Sequence, residues 1–296
     1  MSLPLFIEDK REKLINDLDL NYEFVKVETF AKSVCLRDIK SLQIGNRNNM
    51  VLWVGAFHGM EWLSSFLLLK FLKNLCTNIK SEKRLFGIDI FNQLQKRGLL
   101  VIPCLNPDGV EISTRGSDSA GKYKNFIKEI SKGNTSSWQA NAHGVDLNHN
   151  YNAGWEELHE LELKNGITGP AITRYGGTSP ESEPETQALV NLCKKYNFEH
   201  AIAFHSQGEE IYWRYGDSIP KKSFLLAKLF AVSSGYTLST PEGLAVGGGF
   251  KDWFISEFNK PGFTVEIGKG KNPLLFSELD AIYEKLEKML YISALI

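Results

Sequence analysis

The sequence is short of most features that would place it outside the compact globular domains. Its 296 residues include four cysteines, Cys35, Cys76, Cys104 and Cys193, and no two share a Cys-x-x-Cys spacing. That excludes cysteine zinc sites and thioredoxin-like chemistry. Long hydrophobic runs are missing: stretches such as Phe66–Leu69 fall far below the ~20 apolar residues that span a bilayer. Charge of one sign is missing too. With 34 Lys and Arg against 35 Asp and Glu, the net charge is −1, and no overall field favours nucleic acid or an anionic membrane. The basic pairs Lys194-Lys195 and Lys221-Lys222 are too short for interaction tails and read as solvated faces. There is no internal repeat, low-complexity tract or Pro- or Ser-rich linker. The opening MSLPLFIEDKREKL mixes acidic and basic residues and lacks the apolar core of a secretory signal. A cytoplasmic location with reduced thiols is the expectation.

What is present suits a globular chain with a sizeable core: 43% of residues are hydrophobic and 23% charged. A charged helical pattern over Ile7–Leu18 precedes VKVETFA, which alternates like a strand, and SLQIG. MVLWVGAF is a continuous apolar run bounded by Asn49 and Gly59, as expected of a buried strand. LSSFLLLKFLKNLC follows with helical spacing. LLVIPCLNPDG reads as another buried strand, closed by an Asn-Pro-Asp-Gly turn. Ser113–Asn152 is polar with few periodic signals, the kind of stretch that builds a functional surface. Ser182 and Glu185 form a capping-box pattern ahead of an amphipathic helix. EHAIAFHSQ and GFTVEIG are further buried strands; SFLLAKLFAVSS is a helix stopped by Gly235, and LDAIYEKLEKMLYISAL a terminal amphipathic helix. Strands alternating with helices predict a single-domain α/β/α sandwich around a mixed, largely parallel sheet, with residues 1–26 a short N-terminal extension packed on it.

Polar groups stand where strands stop. His58 follows MVLWVGAF, His205 ends AIAFH, and Glu266 closes FTVE. Open α/β sheets place their ligand sites outside the carboxyl ends of strands. His58 and Glu61, three apart in HGME, turn to one side of a tight turn or first helical turn. Imidazole and carboxylate together suit zinc. A third ligand from elsewhere leaves the fourth position for water, the mark of a catalytic site. His205 is the natural third ligand. Among the other histidines, His143 and His149 lie in the polar stretch and can approach the site, whereas His159 and His200, in charged helix-like surroundings, are expected to be exposed.

The motifs HGMEW, NPDG, GVDLNHNYNAGW, AFHSQGEEIYW and FTVEIG, in that order from His58 to Gly268, resemble those of the M14-type zinc carboxypeptidases, and the likeness runs from about Val27 to the C-terminus. RYGGTSPESEPET, FKDWFISEFNKPGF and EIGKGKNPL resemble one branch, the bacterial γ-D-glutamyl-meso-diaminopimelate peptidases. The resemblance implies a zinc carboxypeptidase-like fold, one Zn2+ held by His58, Glu61 and His205, and Glu266 as general base. Trp62 and Asp252-Trp253 match family landmarks. Asn148 matches the first residue of a substrate-binding Asn-Arg pair. The implied partner is a peptidoglycan-derived stem peptide or soluble muropeptide, with no nucleic acid and no membrane insertion. Some relatives carry LysM wall-binding modules and none is visible here, which implies a cytoplasmic version.

The departures bear on substrate. The family's carboxylate-clamping Arg is His149 here, and His lacks the fixed bidentate fork of a guanidinium. The oxyanion-stabilising Arg falls near Gln139, which donates N–H without charge, and Arg115 is a second candidate for that charge. The family's mobile tyrosine falls near Leu244. Lys251 aligns with the base of the specificity pocket, where an ammonium would pair with an acidic side-chain terminus such as that of diaminopimelate; the plainer reading is a surface lysine. Beside the γ-D-glutamyl–diaminopimelate peptidase, two readings stay open: a conventional zinc carboxypeptidase or small acyl-amino-acid amidase, and a catalytically impaired, zinc-dependent muropeptide-binding protein.

Overall fold

A strand buried on both faces shows no polar alternation, and all six residues of β3 (Met50–Gly55) are buried. Its side chains divide by parity: Val51 and Trp53 enter one apolar cluster, and Met50, Leu52 and Val54 another on the opposite face. A central strand with helices over both faces follows. The computed structural model describes residues 7–85, 87–217 and 219–296. Around β3 runs an eight-stranded sheet in the spatial order β1 (Val25–Lys32), β2 (Asp38–Ile44), β6 (Gly98–Ile102), β3, β7 (Phe198–His205), β10 (Gly262–Glu266), β8 (Glu210–Tyr212) and β9 (Thr237–Ser239). The short strands β4 (Arg84–Leu85) and β5 (Ile88–Asp89) pair separately. The central strands β6, β3, β7 and β10 are parallel, and antiparallel pairing at β1–β2, β2–β6 and β8–β10 makes the sheet mixed. The α/β sandwich around a mixed, largely parallel sheet is the architecture found.

Helices α2 (Leu63–Lys80), α8 (Ser223–Ser234) and α10 (Leu279–Leu295) cover the face that holds Trp53, whose ring centroid lies 5.0 Å from that of Phe71 and 5.7 Å from that of Phe204. Helices α7 (Pro184–Lys195) and α9 (Phe250–Phe258) cover the other face with Leu189, Cys193, Trp253 and Phe254. Gly235 stops α8 at a φ of 71°, a conformation that favours glycine. Helix α1 (Ile7–Asn21) lies against α2 through Ile15 and Leu18. The first six residues of the expected N-terminal extension lie outside the described residues.

Three local expectations change. The polar stretch from Ser113 holds the end of α4 (Pro107–Arg115) and all of α5 (Lys124–Ile130), folded around a small cluster of Ile112, Ala120, Ile127, Trp138, Ala140 and Ala142. So few apolar residues, half of them alanine, leave little periodic signal. Ser182 and Glu185 do not form a capping box. Pro184 takes the first helical position and Glu183 the N-cap, so Ser182 Oγ instead donates to Glu183 Oε1 at 2.9 Å and Glu185 accepts from the Val34 amide at 3.0 Å. His200 is buried on β7 between Phe230 and Phe263 rather than exposed.

Candidate active site

Three adjacent parallel strands, β3, β7 and β10, deliver the chemistry at their carboxyl ends. His205 is the last residue of β7 and pairs in register with Glu266, the last of β10. The chain leaving β3 reaches His58 and enters a short 3-10 turn, Gly59–Glu61. Neighbouring backbone holds that turn: the Gly59 amide donates to the Gln139 carbonyl at 3.0 Å and the Met60 amide to the Trp138 carbonyl at 2.8 Å. Gly59 is required by this close approach, since a Cβ there would meet the Gly109 carbonyl oxygen at 2.2 Å.

The turn brings Glu61 Oε1 to 2.9 Å from His58 Nδ1. From β7, His205 Nδ1 lies 3.0 Å from Glu61 Oε2 and 3.3 Å from His58 Nδ1. Phe57 stacks on the His205 ring at 5.0 Å and fixes its plane. One ligand atom from each of the three residues falls within 4.8 Å of the others. Asp146, the N-cap of the 3-10 turn Leu147–His149, accepts from His58 Nε2 at 3.0 Å. That bond places the His58 proton on Nε2 and turns the Nδ1 lone pair toward Glu61 and His205. Two imidazole nitrogens and a carboxylate then converge, which is the donor set of a catalytic zinc with an open position. The electrostatics agree. Burial alone would depress His58, yet Glu61 and Asp146 hold it well above the usual histidine range. Burial alone would raise Glu61, yet His58 and His205 hold it down to about 2. The cluster demands a positive charge at its centre, and a divalent cation meets that demand without a second proton, on His58 Nδ1.

The cluster opens on a cleft of about 490 Å³. Glu266 lines it; burial first, and the charge of Glu61 second, push its carboxyl well above the usual range. That is the direction that suits a base working near neutral pH. Gln139, Asn148, His149, Lys251 and Leu244 line the same cleft.

The sequence pattern of the zinc carboxypeptidases matches residues 12–290. The chain belongs to the zinc carboxypeptidase family. Its place there makes it a zinc metallopeptidase with one metal ion, and the His58–Glu61–His205 cluster fits that ion. It is 33% identical over 274 residues to the γ-D-glutamyl-L-diamino acid endopeptidase 1 of Lysinibacillus sphaericus, covering 92% of this chain and 67% of that one. Two solved structures share the fold. Bovine thrombin-activatable fibrinolysis inhibitor, bound to a tick carboxypeptidase inhibitor, superposes with a TM-score of 0.75 at 20% identity, over 99% of this chain and 96% of that one. The murein-tripeptide amidase MpaA of Escherichia coli O157 superposes with a TM-score of 0.55 at 21% identity, over 90% and 91%.

Within this zinc carboxypeptidase the expected substrate residues fare differently. Gln139 lies in the cleft with its Oε1 accepting from the Thr173 hydroxyl, and among the described residues its side-chain N–H donors have no partner. Asn148 Oδ1 accepts from the Phe250 amide at 3.1 Å. His149 is committed elsewhere: its Nδ1 lies 2.8 Å from Glu162 Oε1, a buried carboxylate of α6 (Trp155–Lys164). Lys251 is not a surface lysine. It is buried, and its ammonium donates to the Arg214 carbonyl at 2.8 Å and to Asp252 Oδ1. Arg115 does not reach the cleft: it ends α4 and pairs with Glu111 at 3.0 Å. His143 bonds Glu183 and Tyr123, away from the metal cluster. Trp62 and Trp253 are buried landmarks, and Tyr212 enters the cleft from β8. Sequence reasoning missed Asp146, Glu162 and Arg174. The first had a signal, an Asp two residues before Asn148 in GVDLNHN, the spacing of a short capped turn.

Proposed function

We propose that this protein hydrolyses the γ-D-glutamyl–meso-diaminopimelate amide bond of peptidoglycan stem peptides or soluble muropeptides. The observation that carries the reading is the 33% identity over 92% of the chain with an enzyme named for the γ-D-glutamyl-diamino acid bond. The cleft supports it. His149, held by Glu162, offers no fork to an ordinary C-terminal carboxylate. Lys251 and Asp252 line the cleft as a buried ammonium–carboxylate pair. The diaminopimelate side chain ends in a second amino acid group, whose carboxylate and ammonium complement that pair.

When bound, zinc supplies a Lewis acid that polarises the scissile carbonyl and acidifies the attacking water. Glu266 takes the proton from that water and returns it to the leaving amine. Gln139 donates an N–H toward the oxygen that gains charge. Asp146 keeps His58 in the tautomer that faces the cluster.

The test is incubation of the zinc-loaded protein with L-Ala-γ-D-Glu-meso-diaminopimelate. Free diaminopimelate is the expected product, lost on chelation and restored by zinc. Cleavage of ordinary C-terminal residues in place of this bond would overturn the reading, and so would cleavage of nothing.

A further inference from the structure

We propose that Arg174 holds a carboxylate of the substrate in this cleft, the task for which His149 is unavailable. The inference deepens the function proposed above and rests on its acidic peptide substrate.

Arg174 is tied closely to the metal cluster. Its backbone N–H donates to Asp146 Oδ2 at 2.8 Å, while the other oxygen of that carboxylate lies 3.0 Å from His58 Nε2. One carboxylate therefore separates the Arg174 backbone from a metal ligand. The φ of 66° at Arg174 lies in the left-handed region, which a residue with a Cβ adopts only where its surroundings impose it. The Asp146 bond on one side and the Thr173–Gln139 contact on the other supply that constraint.

The side chain is exposed and lines the cleft. Among the described residues its guanidinium has no ion pair or hydrogen bond. The other basic side chains of the cleft outside the metal cluster are engaged: Lys251 by Asp252 and the Arg214 carbonyl, and His149 through its Nδ1 by Glu162. Arg174 alone among them faces the cleft with all its donors free, arranged as the planar fork that matches a carboxylate. A γ-linked glutamyl peptide offers two sources of that carboxylate. One is the free α-carboxylate of D-Glu on the acyl side of the scissile bond, and the other is diaminopimelate on the amine side.

The experiment compares wild type, Arg174→Met and Arg174→Lys on three peptides: L-Ala-γ-D-Glu-meso-diaminopimelate, its D-Glu α-amide, and its diaminopimelate amides. Arg174→Met is expected to raise KM by about 10- to 100-fold on the free acid, the factor a charge-assisted pair carries, with kcat nearly unchanged. Arg174→Lys recovers part of that loss. On the peptide whose clamped carboxylate is amidated, wild type shows the same loss and Arg174→Met adds nothing, which names the source. An equal effect of Arg174→Met on all three peptides, or none, overturns the clamp. A second measurement needs no turnover: calorimetric binding of the tripeptide to zinc-loaded Glu266→Gln protein, with and without Arg174→Met. Weakened binding in a protein whose wild type cleaves nothing keeps the clamp and removes the peptidase reading. Normal cleavage with unchanged binding removes the clamp alone, and neither cleavage nor binding removes both.

Discussion

Asp146 Oδ1 lies 3.0 Å from His58 Nε2, on the side of the imidazole away from Glu61 and His205. The same carboxylate accepts the Asn148 and Arg174 amides, so one buried group orients a metal ligand and anchors two loops of the cleft. Although burial opposes it, the positive side of His58 holds the Asp146 carboxyl far below the usual range. Asp146→Asn keeps the shape and removes the charge. Partners of this kind set metal affinity by about 10- to 100-fold, and a loss of that size is expected in a chelator-competition titration of zinc. An unchanged affinity would show that His58 needs no carboxylate behind it.

The turn that carries His58 and Glu61 is pressed against the Asn-Pro-Asp-Gly backbone. A Cβ on Gly59 would sit 2.2 Å from the Gly109 carbonyl oxygen and 2.8 Å from that of Trp138. Both contacts are backbone, so neither can swing aside. Gly59→Ala is expected to cost about 1–3 kcal/mol, the range for overpacking a tight site, and to lower zinc stoichiometry because the turn itself must move. Urea unfolding and metal analysis check both; wild-type values in the two measurements would refute the close-packing argument.

Lys251 and Asp252 neutralise each other where they are buried, and Asp252 Oδ2 also accepts from the Gly247 amide at 2.9 Å. Removing the lysine alone strands a buried carboxylate. The informative variant is therefore Lys251→Met with Asp252→Asn, which removes both charges. The prediction is a folded protein that discriminates diaminopimelate- from lysine-containing stem peptides about tenfold less well in kcat/KM, one desolvated charge contact being worth about that much. Undiminished discrimination would mean that the pair is only structural.

Much of this arrangement was legible in the sequence. Buried strands read as continuous apolar runs, and polar residues at their ends mark the site, because parallel strands align their carboxyl ends by construction. His58, Glu61, His205 and Glu266 follow from that rule and from one local spacing. What was not legible depends on contacts between segments far apart in the chain. Glu162 reads as one more charge on a helix until α6 folds back onto His149, and no pattern marks Arg174 as a residue of the cleft. Lys251 reads as exposed by type, yet α9 buries it against Asp252. His200 is different. It is two residues from Ile202 on β7, so the period of two places it on the face that carries Ile202 and Phe204, beneath α8 and α10. The charged neighbours Lys195 and Glu199 obscured that placement, and so did the irregular register between Phe198 and Ala201, which puts Phe198 on the opposite face.

That buried histidine yields a pH prediction. Burial first, and Arg97 second, depress His200 to about 3, and its Nε2 has no hydrogen-bond partner among the described residues. In the unfolded chain it titrates near ~6.5. Above that value both states are neutral and His200 adds no pH dependence. As the pH falls below it, the unfolded chain binds a proton that the native protein refuses, so stability is lost, by up to about 1.4 kcal/mol per pH unit, until the folded value near 3 is reached. His200→Leu removes this proton and keeps an apolar group between Phe230 and Phe263. The variant should lose less stability than wild type between pH 6.5 and 4.5, with the gap widening steadily as pH falls. Zinc release over the same range affects both proteins alike and cancels in the difference. Unfolding free energies that stay parallel across that window would mean that His200 takes up its proton in the native state as readily as in the unfolded one, and that its burial carries no electrostatic cost.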